Sequence, residues 1–331
     1  MTGVATATAH PNIALAKYWG KIEAPTNLPA VPSLSMTLDA LSTTTSVGFG
    51  PGLDSDRVVI NGRSATETEA KRVTALLDRV RIEAGLRTRA WVETANDFPT
   101  GSGLASSASG FAALALAAIT AAGLEWDSAK VSDLARQSSA SAARSIFGGF
   151  ATLAAGNLDT TFLAAEPLAG THDWAVAVSV VITTFQPKEI GSSEGMTHTR
   201  ATSPYYAAWV EHAPVLFERA RAAVLARDLH ALGTVAEESA FAMHACAMAA
   251  APALVYLSPV TLAVIETVRS LGRSGVPAYV TMDAGPQVKV LSRAADAAHI
   301  ASVLRQVSGV EKVIVARPGP AASAKIIRQA P

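Results

Sequence analysis

Residues 99–110 restrict the folds open to this chain more than any other stretch, because a glycine- and serine-rich loop there runs directly into an alanine-rich helix. They read Pro-Thr-Gly-Ser-Gly-Leu-Ala-Ser-Ser-Ala-Ser-Gly. Backbone N–H groups in the first turn of a helix have no intrahelical partner, and the helix dipole places partial positive charge at the same end. Glycines at 101 and 103 let the main chain approach an anion closely. The pattern predicts a phosphate site, although an ordinary capping loop has the same composition.

Three serines of this stretch, Ser102, Ser106 and Ser107, carry hydroxyl groups that suit phosphate oxygens or a magnesium ion. The spacing Gly101-x-Gly-x-x-Ser also approximates the dinucleotide-binding fingerprint, with acidic residues at 125 and 127 near the expected distance. That fingerprint follows a strand directly, whereas here Asn-Asp-Phe-Pro-Thr separates the glycines from the predicted strand. A dinucleotide-dependent oxidoreductase is therefore a remote alternative.

The composition narrows the class of partner. A chain of 331 residues, half of them hydrophobic, can bury a sizeable core and is long for one domain. Lysine plus arginine and aspartate plus glutamate balance at 27 each, so no global field favours nucleic acid or an acidic membrane as a partner. We expect a small-molecule substrate held by a local cluster of charges. An apolar chain of this size without net charge also leads us to expect a homodimer.

The single cysteine, Cys246, excludes an intrachain disulfide framework and a multi-cysteine zinc site. The first residues lack a charged segment followed by an apolar one, so we expect no signal peptide and a cytoplasmic location. Two apolar segments, residues 111–123 and 240–257, are predicted to be buried helices. The first is too short to cross a membrane, and the second contains His244 and Pro252.

Apolar periodicity and turn residues divide the chain into two regions. The first is predicted to contain strands at 42–49, 57–60 and 89–95, a helix at 67–84 and a further helix capped by Asp127. The second is predicted to contain a strand at 175–184, helices within 205–251, a helix at 258–272, strands at 278–282 and 288–292, a helix at 294–307 and a strand at 310–316. This is the order of a ferredoxin-like layer with inserted helices. We expect one domain at 1–185 and a second at 186–331.

Residues 17–21 place two lysines, a tyrosine and a tryptophan within five positions. If the segment is extended, Lys17, Trp19 and Lys21 share one side and Tyr18 faces the other. Two ammonium groups on one side suit a diphosphate. A solvated strand end, with the lysines lying around an anchoring tryptophan, is the alternative.

A single arginine, Arg144, stands among small and hydroxyl-bearing residues at 138–145. One guanidinium can hold a carboxylate with two parallel hydrogen bonds, and small neighbours let a ligand come close. A tight helix-packing face with one surface arginine is the alternative.

Asp283 ends a predicted strand just before a Gly-Pro turn, a place that suits a positioned acid or base as well as a turn cap. Residues 186–196 are predicted to form a polar loop, with Ser192 and Ser193 available to a ligand, or a plain interdomain linker. His244 and Cys246 are too few ligands for a metal site, so we expect a packed core histidine.

Taken together and in this order, these segments resemble the diphosphomevalonate decarboxylase family of the GHMP kinase superfamily. The matching text is Ala-His-Pro-Asn-Ile-Ala-Leu-Ala-Lys-Tyr-Trp-Gly-Lys from residue 9, Ser-Leu-Ser-Met-Thr-Leu from 33, Asn-Asp-Phe-Pro-Thr-Gly-Ser-Gly-Leu-Ala-Ser-Ser-Ala from 96, Arg-Ser-Ile-Phe-Gly-Gly-Phe from 144, Met-His-Ala from 243 and Asp-Ala-Gly-Pro from 283. Lys-Tyr-Trp-Gly-Lys and Asp-Ala-Gly-Pro distinguish the family from its kinase relatives, whereas the glycine- and serine-rich loop is shared across the superfamily.

The resemblance implies an α+β, GHMP kinase-like two-domain fold. Its N-terminal ATP-binding domain is of the ribosomal protein S5 domain 2 type, and its C-terminal domain is ferredoxin-like. The resemblance also implies ATP-dependent decarboxylation of mevalonate 5-diphosphate to isopentenyl diphosphate, with ADP, phosphate and CO2 as the other products. ATP and magnesium are the expected cofactors, and the magnesium ligands are left unassigned.

Residue roles follow from the same resemblance. Asp283 is expected to position or deprotonate the substrate hydroxyl, Lys17 to stabilise the transferring phosphoryl charge, and Arg144 to hold the departing carboxylate. The residues expected to bind the substrate are Tyr18, Lys21, Ser139, Ser141 and Arg72, with Lys71 as an alternative to Arg72. Those expected to contact the nucleotide are Pro99, Gly101, Ser102, Gly103, Ser106, Ser107 and Ser192.

The sequence departs from the family pattern near the expected substrate. Ser138 and Ala140 stand where glycines are usual, which predicts a tighter or reshaped pocket, and Gln287 stands where asparagine is common. Residues 22–23 and 30–32 are less polar than usual.

These departures keep three rivals open, all on the same fold. Two are enzymes, a mevalonate 3-kinase and a mevalonate 5-phosphate decarboxylase, and the third is a non-catalytic ligand sensor. Lys17 together with Asp283 argues against a kinase that stops at the phosphorylated product. The pair of Tyr18 and Lys21 favours a diphosphate over a monophosphate.

Overall fold

The computed structural model describes residues 3–22, 27–98, 106–186 and 188–329. Four residues expected to contact the nucleotide lie outside these ranges: Pro99, Gly101, Ser102 and Gly103. The strands of the described part are β1 (Gly3–Ala9), β2 (Asn12–Ala16), β3 (Ser33–Thr37), β4 (Thr43–Gly50), β5 (Arg57–Ile60), β6 (Arg63–Ser64), β7 (Arg89–Asn96), β8 (Phe150–Leu153), β9 (Glu166–Ala169), β10 (Val176–Ile182), β11 (Ala278–Met282), β12 (Val288–Arg293), β13 (Lys312–Ala316) and β14 (Ser323–Gln329).

The helices of the described part are α1 (Glu67–Ala84), α2 (Ser106–Ala121), α3 (Ser128–Ser138), a 3-10 helix (Ala140–Ile146), α4 (Ser192–Thr202), α5 (Tyr206–Ala226), α6 (Leu229–Met248), α7 (Pro259–Arg273) and α8 (Ala297–Leu304). Local sequence explains several of their ends. Thr66 and Glu69 form a capping box before α1, and Gly85 ends that helix in the left-handed conformation. Asp127 caps α3, as predicted, by accepting a hydrogen bond from the backbone N–H of Lys130.

The strands form three sheets. A six-stranded sheet has the order β14-β1-β4-β7-β5-β6, in which only the β5/β7 pair is parallel. A four-stranded antiparallel sheet has the order β2-β3-β8-β9. A second four-stranded antiparallel sheet has the order β11-β12-β10-β13, which is the strand arrangement of a ferredoxin-like layer. The predicted mixed α+β fold is therefore confirmed.

Helix α2 packs against β1 and β4 of the six-stranded sheet. Its buried side chains are mostly alanines, whose small size lets helix and sheet approach closely. Residues 111–123 are thus a buried helix, as predicted, up to Ala121. The second apolar segment is only partly helical, because α6 ends at Met248 and Pro252 follows in irregular chain. No helix among the described residues has the length and hydropathy needed to cross a membrane.

Two strands cross the expected domain boundary at residue 185. β10 precedes the boundary but pairs with β12 and β13. β14 comes from the end of the chain but pairs with β1. The division into domains at 1–185 and 186–331 stays a prediction. Across this boundary, β10 of the first range pairs with strands of the second, and β14 of the second range pairs with a strand of the first.

The prediction of a polar loop over 186–196 is wrong from Ser192 onward, where α4 begins with Gly191 at its N-cap. This helix consists mostly of serine, threonine and glycine, so its sequence shows no apolar residues at helical spacing. Its position is fixed by packing, since Met196 is buried in the core that also contains Trp19 and Met243. That core joins β2 and β3 to β10 and to helices α5 and α6, and one end of it lies beneath a cleft.

Candidate active site

A cleft of about 350 Å³ lies where several segments of the chain meet. They include the end of β2 with the residues after it, the first turn of α2, the 3-10 helix, the start of α4 and the turn after β11. Ten of the residues predicted from the sequence line it: Tyr18, Lys21, Arg72, Ser106, Ser107, Ser139, Ser141, Arg144, Ser192 and Asp283. The fold thus brings together residues that are far apart in the chain, such as Tyr18 and Asp283, which are separated by 265 positions.

Asp283 lies at the floor of the cleft with both carboxylate oxygens bonded to lysines. Lys17 Nζ is 2.6 Å from Oδ1, and Lys289 Nζ is 3.1 Å from Oδ2. The Asp283 side chain is 27% exposed, whereas each lysine side chain is 1% exposed. Burial by itself raises the pKa of Asp283, but the two ammonium groups outweigh it and hold that pKa well below its usual range. Asp283 is therefore an anion that faces the cleft.

Lys17 does not share one side of an extended segment with Lys21, so that prediction is wrong. β2 ends at Ala16, and Gly20 has a φ of +116°, which turns the chain between the two lysines. Lys17 Nζ donates to the carbonyl of Ala14 at 2.8 Å as well as to Asp283. Burial lowers the pKa of Lys17 to about 8, although Asp283 raises it.

Arg144 is buried, and its partners carry no charge. Its Nε donates to Ser35 Oγ at 2.8 Å, its Nη1 donates to Ser33 Oγ at 2.6 Å, and its Nη2 lies 3.4 Å from Asn12 Oδ1. Within the described ranges it forms no ion pair with a carboxylate. Burial lowers its pKa to about 10, so the guanidinium still carries its charge at neutral pH. A buried cation held only by neutral groups is suited to binding an anion from the cleft.

The side chains around Arg144 form a polar wall of the cleft. Ser139 Oγ and Ser141 Oγ lie 3.2 Å apart. Asn12 Nδ2 donates to the carbonyl of Ser141 at 2.9 Å and to Ser145 Oγ at 2.8 Å, which fixes the 3-10 helix against β2. The arginine is thus an inward-facing residue of the cleft and not a surface arginine on a packing face.

A second set of polar groups lies at the two helix starts. Ser106 is the first residue of α2 and Ser107 follows it, so backbone N–H groups and hydroxyls face the cleft together. Lys188 donates to Ser192 Oγ at 2.8 Å and to the carbonyl of Ala284 at 2.9 Å. Burial lowers the pKa of Lys188 to about 8, partly offset by Asp283. These donors suit phosphate oxygens.

Cations also line the outer end of the cleft. Lys21 donates to Asn27 Oδ1 at 2.7 Å and to Ser193 Oγ at 2.8 Å, and burial followed by the charge of Arg72 lowers its pKa to about 8. Arg72 donates to the carbonyl of Ser138 at 3.1 Å, and its guanidinium lies 4.5 Å from the centroid of the Phe111 ring. Lys71, the alternative to Arg72, lies on the exposed side of α1 and pairs with a glutamate of that helix at 2.6 Å.

Tyr18 is half-buried and His244 is fully buried, and both lie near these charges. Tyr18 lines the cleft, its hydroxyl has no hydrogen-bond partner among the described residues, and burial raises its pKa. Burial, with the nearby Lys17 ammonium, lowers the pKa of His244 to about 4, so its imidazole is neutral at pH 7. His244 packs edge-on to Tyr256 at 6.2 Å, as a core histidine does. The described chain contains no cluster of three histidine, cysteine or acidic residues that could hold a metal.

Gln287 does not line the cleft, which corrects the expectation that it lies beside the substrate. It is fully buried, accepts a hydrogen bond from the backbone N–H of Thr183 at 2.6 Å and donates to the carbonyl of Thr184 at 2.7 Å. It therefore ties the Asp-Ala-Gly-Pro turn to the end of β10. Ser138 and Ala140, which stand where glycines are usual, do line the cleft.

The sequence reasoning missed several residues of this site, among them Asn12, Lys188, Ser33 and Lys289. Lys289 left a detectable trace, since it is a lysine inside the apolar run Val-Lys-Val-Leu. A charge in such a run of a buried strand requires a partner. The other three are ordinary polar residues, since Asn12 and Ser33 each begin a buried strand and Lys188 lies in a polar segment. Only the fold shows that they converge.

Comparisons with known proteins cover nearly the whole chain. A family profile described as the diphosphomevalonate decarboxylase-like N-terminal domain matches residues 9–164, and one described as the mevalonate 5-diphosphate decarboxylase C-terminal domain matches residues 178–322. A phosphomevalonate decarboxylase of Haloferax volcanii is 34% identical, over 86% of this chain and 87% of its own length. A diphosphomevalonate decarboxylase of Candida albicans is 31% identical, over 91% and 87%.

Solved structures resemble the fold closely. One described as MDDEF in complex with MVAPP, AMPPCP and magnesium has a TM-score of 0.91 at 37% identity, covering 98% of this chain and 100% of that one. A mevalonate diphosphate decarboxylase from Staphylococcus aureus has a TM-score of 0.92 at 35% identity, covering 98% of each chain.

Proposed function

Since the chain belongs to the diphosphomevalonate decarboxylase family, we propose that it catalyses the ATP-dependent decarboxylation of mevalonate 5-diphosphate to isopentenyl diphosphate, ADP, phosphate and CO2. One observation carries the proposal. The cleft presents a fixed anion, Asp283 between two lysines, and a buried cation without a carboxylate partner in the described chain, Arg144. A substrate with a hydroxyl group near a carboxylate matches both.

The chemistry explains why both groups are needed. A tertiary hydroxyl is a poor leaving group, so it is first phosphorylated, and phosphate and CO2 then depart together. Asp283 accepts a hydrogen bond from the hydroxyl and orients its oxygen toward the phosphoryl group. Because two ammonium groups make this carboxylate a weak base, orientation is the larger part of its contribution.

Arg144 holds the substrate carboxylate with two parallel hydrogen bonds, and Ser139 and Ser141 supply hydroxyl groups to the same oxygens. Fixing the carboxylate aligns the carbon–carbon bond that breaks with the phosphate that leaves. A kinase that stops at the phosphorylated product gains nothing from this alignment. The arginine therefore favours the decarboxylase over the mevalonate 3-kinase.

The ammonium group of Lys17 bonds Asp283, and that of Lys188 lies near it and bonds the carbonyl of Ala284. Both stabilise the negative charge of the transferring phosphoryl group. Ser106, Ser107 and Ser192 donate to phosphate oxygens of ATP at the two helix starts.

The residues present fit a magnesium ion that is held mainly by phosphates. Magnesium prefers oxygen ligands and keeps its coordination through substrate phosphates and water where a protein offers few carboxylates. The serine hydroxyls at the start of α2 are suitable oxygens, and the described residues offer no acidic cluster in competition. When bound, the ion neutralises charge on the ATP phosphates.

The second candidate keeps the reaction and changes the substrate to mevalonate 5-phosphate. It is favoured by the similarity to the phosphomevalonate decarboxylase of Haloferax volcanii. The two cations at the outer end of the cleft, Lys21 and Arg72, favour the diphosphate, because two cations match its two phosphoryl groups.

A substrate panel tests the function. Purified protein with ATP and magnesium is given mevalonate, its 5-phosphate or its 5-diphosphate, and ADP and CO2 are measured separately. We expect stoichiometric ADP and CO2 from the 5-diphosphate. ADP without CO2 indicates the kinase, turnover confined to the 5-phosphate indicates the second candidate, and no turnover on any compound contradicts the enzyme assignment.

We also propose a cytoplasmic location and a homodimer with domains at 1–185 and 186–331. The single, buried Cys246 supports a reducing compartment. The exposed apolar side chains of Ile82 and Phe162, which line a groove beside α1 and α3, support a subunit contact there. Light scattering during gel filtration tests the dimer, for which we expect a mass of twice 34.1 kDa.

A further inference from the structure

Lys289 carries a buried charge, and the reaction described above assigns it no role. It lies in β12 between Val288 and Val290, which are both fully buried, and its side chain is 1% exposed. An ammonium group in such a place is costly unless a carboxylate offsets it. Its carboxylate partner is Asp283, with Nζ 3.1 Å from Oδ2.

The two lysines on Asp283 come from opposite sides of the site. Lys17 follows β2 in the sheet of the N-terminal region and bonds Oδ1. Lys289 belongs to the ferredoxin-like sheet, where it pairs across the ladder with Thr281, two residues before Asp283. A carboxylate that is bonded to a single lysine can rotate about its Cβ–Cγ bond. A carboxylate with a separate lysine on each oxygen must break a charged hydrogen bond before it can rotate.

We propose that Lys289 is a positioning residue, which holds Asp283 as an anion in one orientation so that its cleft-facing edge meets the substrate hydroxyl. This inference rests on the proposed function, because it assigns Lys289 a part in that reaction through Asp283. Lys289 itself does not line the cleft.

The charges around Asp283 decide what the loss of Lys289 does to the pH profile. The titratable groups that face it are Lys17, Lys188, Lys289, Arg144 and His244. The like charge of Lys289 lowers the pKa of Lys17 and of Lys188. Removing it raises both pKa values, so the two ammonium groups persist to higher pH. The pKa of Lys21 does not depend on Lys289, so the alkaline limb of kcat/KM moves upward only by the part that Lys17 and Lys188 contribute.

The kinetic test uses the full chain with Lys289→Met, which keeps the length of the side chain and removes its charge. With mevalonate 5-diphosphate and magnesium ATP, we expect kcat to fall about tenfold to a hundredfold while both KM values stay within about twofold. We also expect the alkaline limb to move up. Lys289→Arg, which keeps the charge, should recover part of kcat and leave the limb near its original pH. Leu291→Met, on the same strand and face, is the matched control and should change neither.

A stability cycle gives a readout that does not depend on turnover. Asp283→Asn leaves two buried lysines without their carboxylate, so adding Lys289→Met to it should raise the Tm above that of Asp283→Asn alone. Additive changes in Tm across the cycle, or an unaltered kcat and alkaline limb in Lys289→Met, would overturn the inference. A wild-type protein that fails on mevalonate 5-diphosphate overturns the proposed function instead.

Discussion

At the scale of single residues, the site contains two charges that are compensated in opposite ways. Asp283 has an ammonium group on each oxygen, whereas Arg144 is surrounded by hydroxyl and amide groups. The first arrangement fixes an anion before a ligand arrives, and the second leaves a cation whose natural partner is an anionic group of the ligand. Because of this difference, we expect a bound substrate to place its hydroxyl group at Asp283 and its carboxylate at Arg144.

Asp283→Asn should abolish turnover and leave nucleotide binding nearly intact, because it removes the hydrogen-bond acceptor for the hydroxyl but none of the donors at the helix starts. It should also lower the free energy of unfolding by about 3 kcal/mol, since two buried lysines lose their carboxylate. Kinetics, nucleotide titration and urea unfolding measure the three quantities.

Asp296→Asn is the matched control, because Asp296 also pairs with a cation, Arg293 at 2.6 Å, but lies beyond the far end of β12. It should retain full activity. Wild-type turnover in Asp283→Asn would remove Asp283 from the reaction.

At the scale of secondary structure elements, α2 joins the core to the site. Its buried alanines set its distance from β1 and β4, and its first residue, Ser106, faces the cleft. A helix that is packed this closely holds its N-terminal N–H groups at a fixed position, which is what a phosphate site requires. Stability and phosphate binding therefore depend on the same contacts.

Two substitutions in α2 should have opposite effects on the free energy of unfolding. Ala117→Leu inserts a large side chain into a fully buried position and should destabilise the protein by about 1–3 kcal/mol. Gly110→Ala should stabilise it by about 0.5–1 kcal/mol, because a Cβ there meets no atom within 4 Å and alanine is the better helix former. Denaturant unfolding distinguishes them. Unchanged stability in Ala117→Leu would contradict the close packing of this helix.

At the scale of the whole molecule, the cleft exists because segments from both regions of the chain enclose it. Lys17 and Lys21 come from near β2, Lys188 comes from the segment after β10, and Asp283 follows β11. Enclosure removes water from the lysines, and this desolvation is the largest cause of their lowered pKa values. The pH dependence of the reaction is thus a property of the assembled fold.

The value of kcat/KM should fall as pH rises through about 8, because Lys17, Lys21 and Lys188 all have pKa values lowered to about 8 and bind phosphate only while protonated. Below that pH the ammonium groups are intact, and above it they lose their protons. Bound phosphates favour the protonated forms, so the fall in kcat should occur at higher pH than the fall in kcat/KM. Steady-state kinetics from pH 6 to pH 10 test this, and a kcat/KM that is constant to pH 9.5 would contradict it.

Much of the fold was predictable from local sequence. Helix α1 and strands β5 and β11 have the predicted bounds, since caps, turn residues and apolar periodicity depend on neighbours along the chain. Strands β1, β2, β3 and β14 and helix α4 were not predicted. β14 is an edge strand of the six-stranded sheet with exposed residues, and its partner β1 is more than 300 residues away. No local pattern encodes such a pairing.

The family, the mixed α+β architecture and the kinds of group at the site follow from the amino-acid sequence alone. The sequence also supplied ten of the residues that line the cleft, because their types and order along the chain are characteristic. Only the tertiary structure decided that Lys17 and Lys289 share one carboxylate, that Arg144 has no anionic partner among the described residues, and that Gln287 holds β10 instead of lining the cleft. The physical reason is that charge pairing and desolvation depend on distance through space. Lys17 and Asp283 are 266 residues apart along the chain, and their atoms lie 2.6 Å apart in the fold.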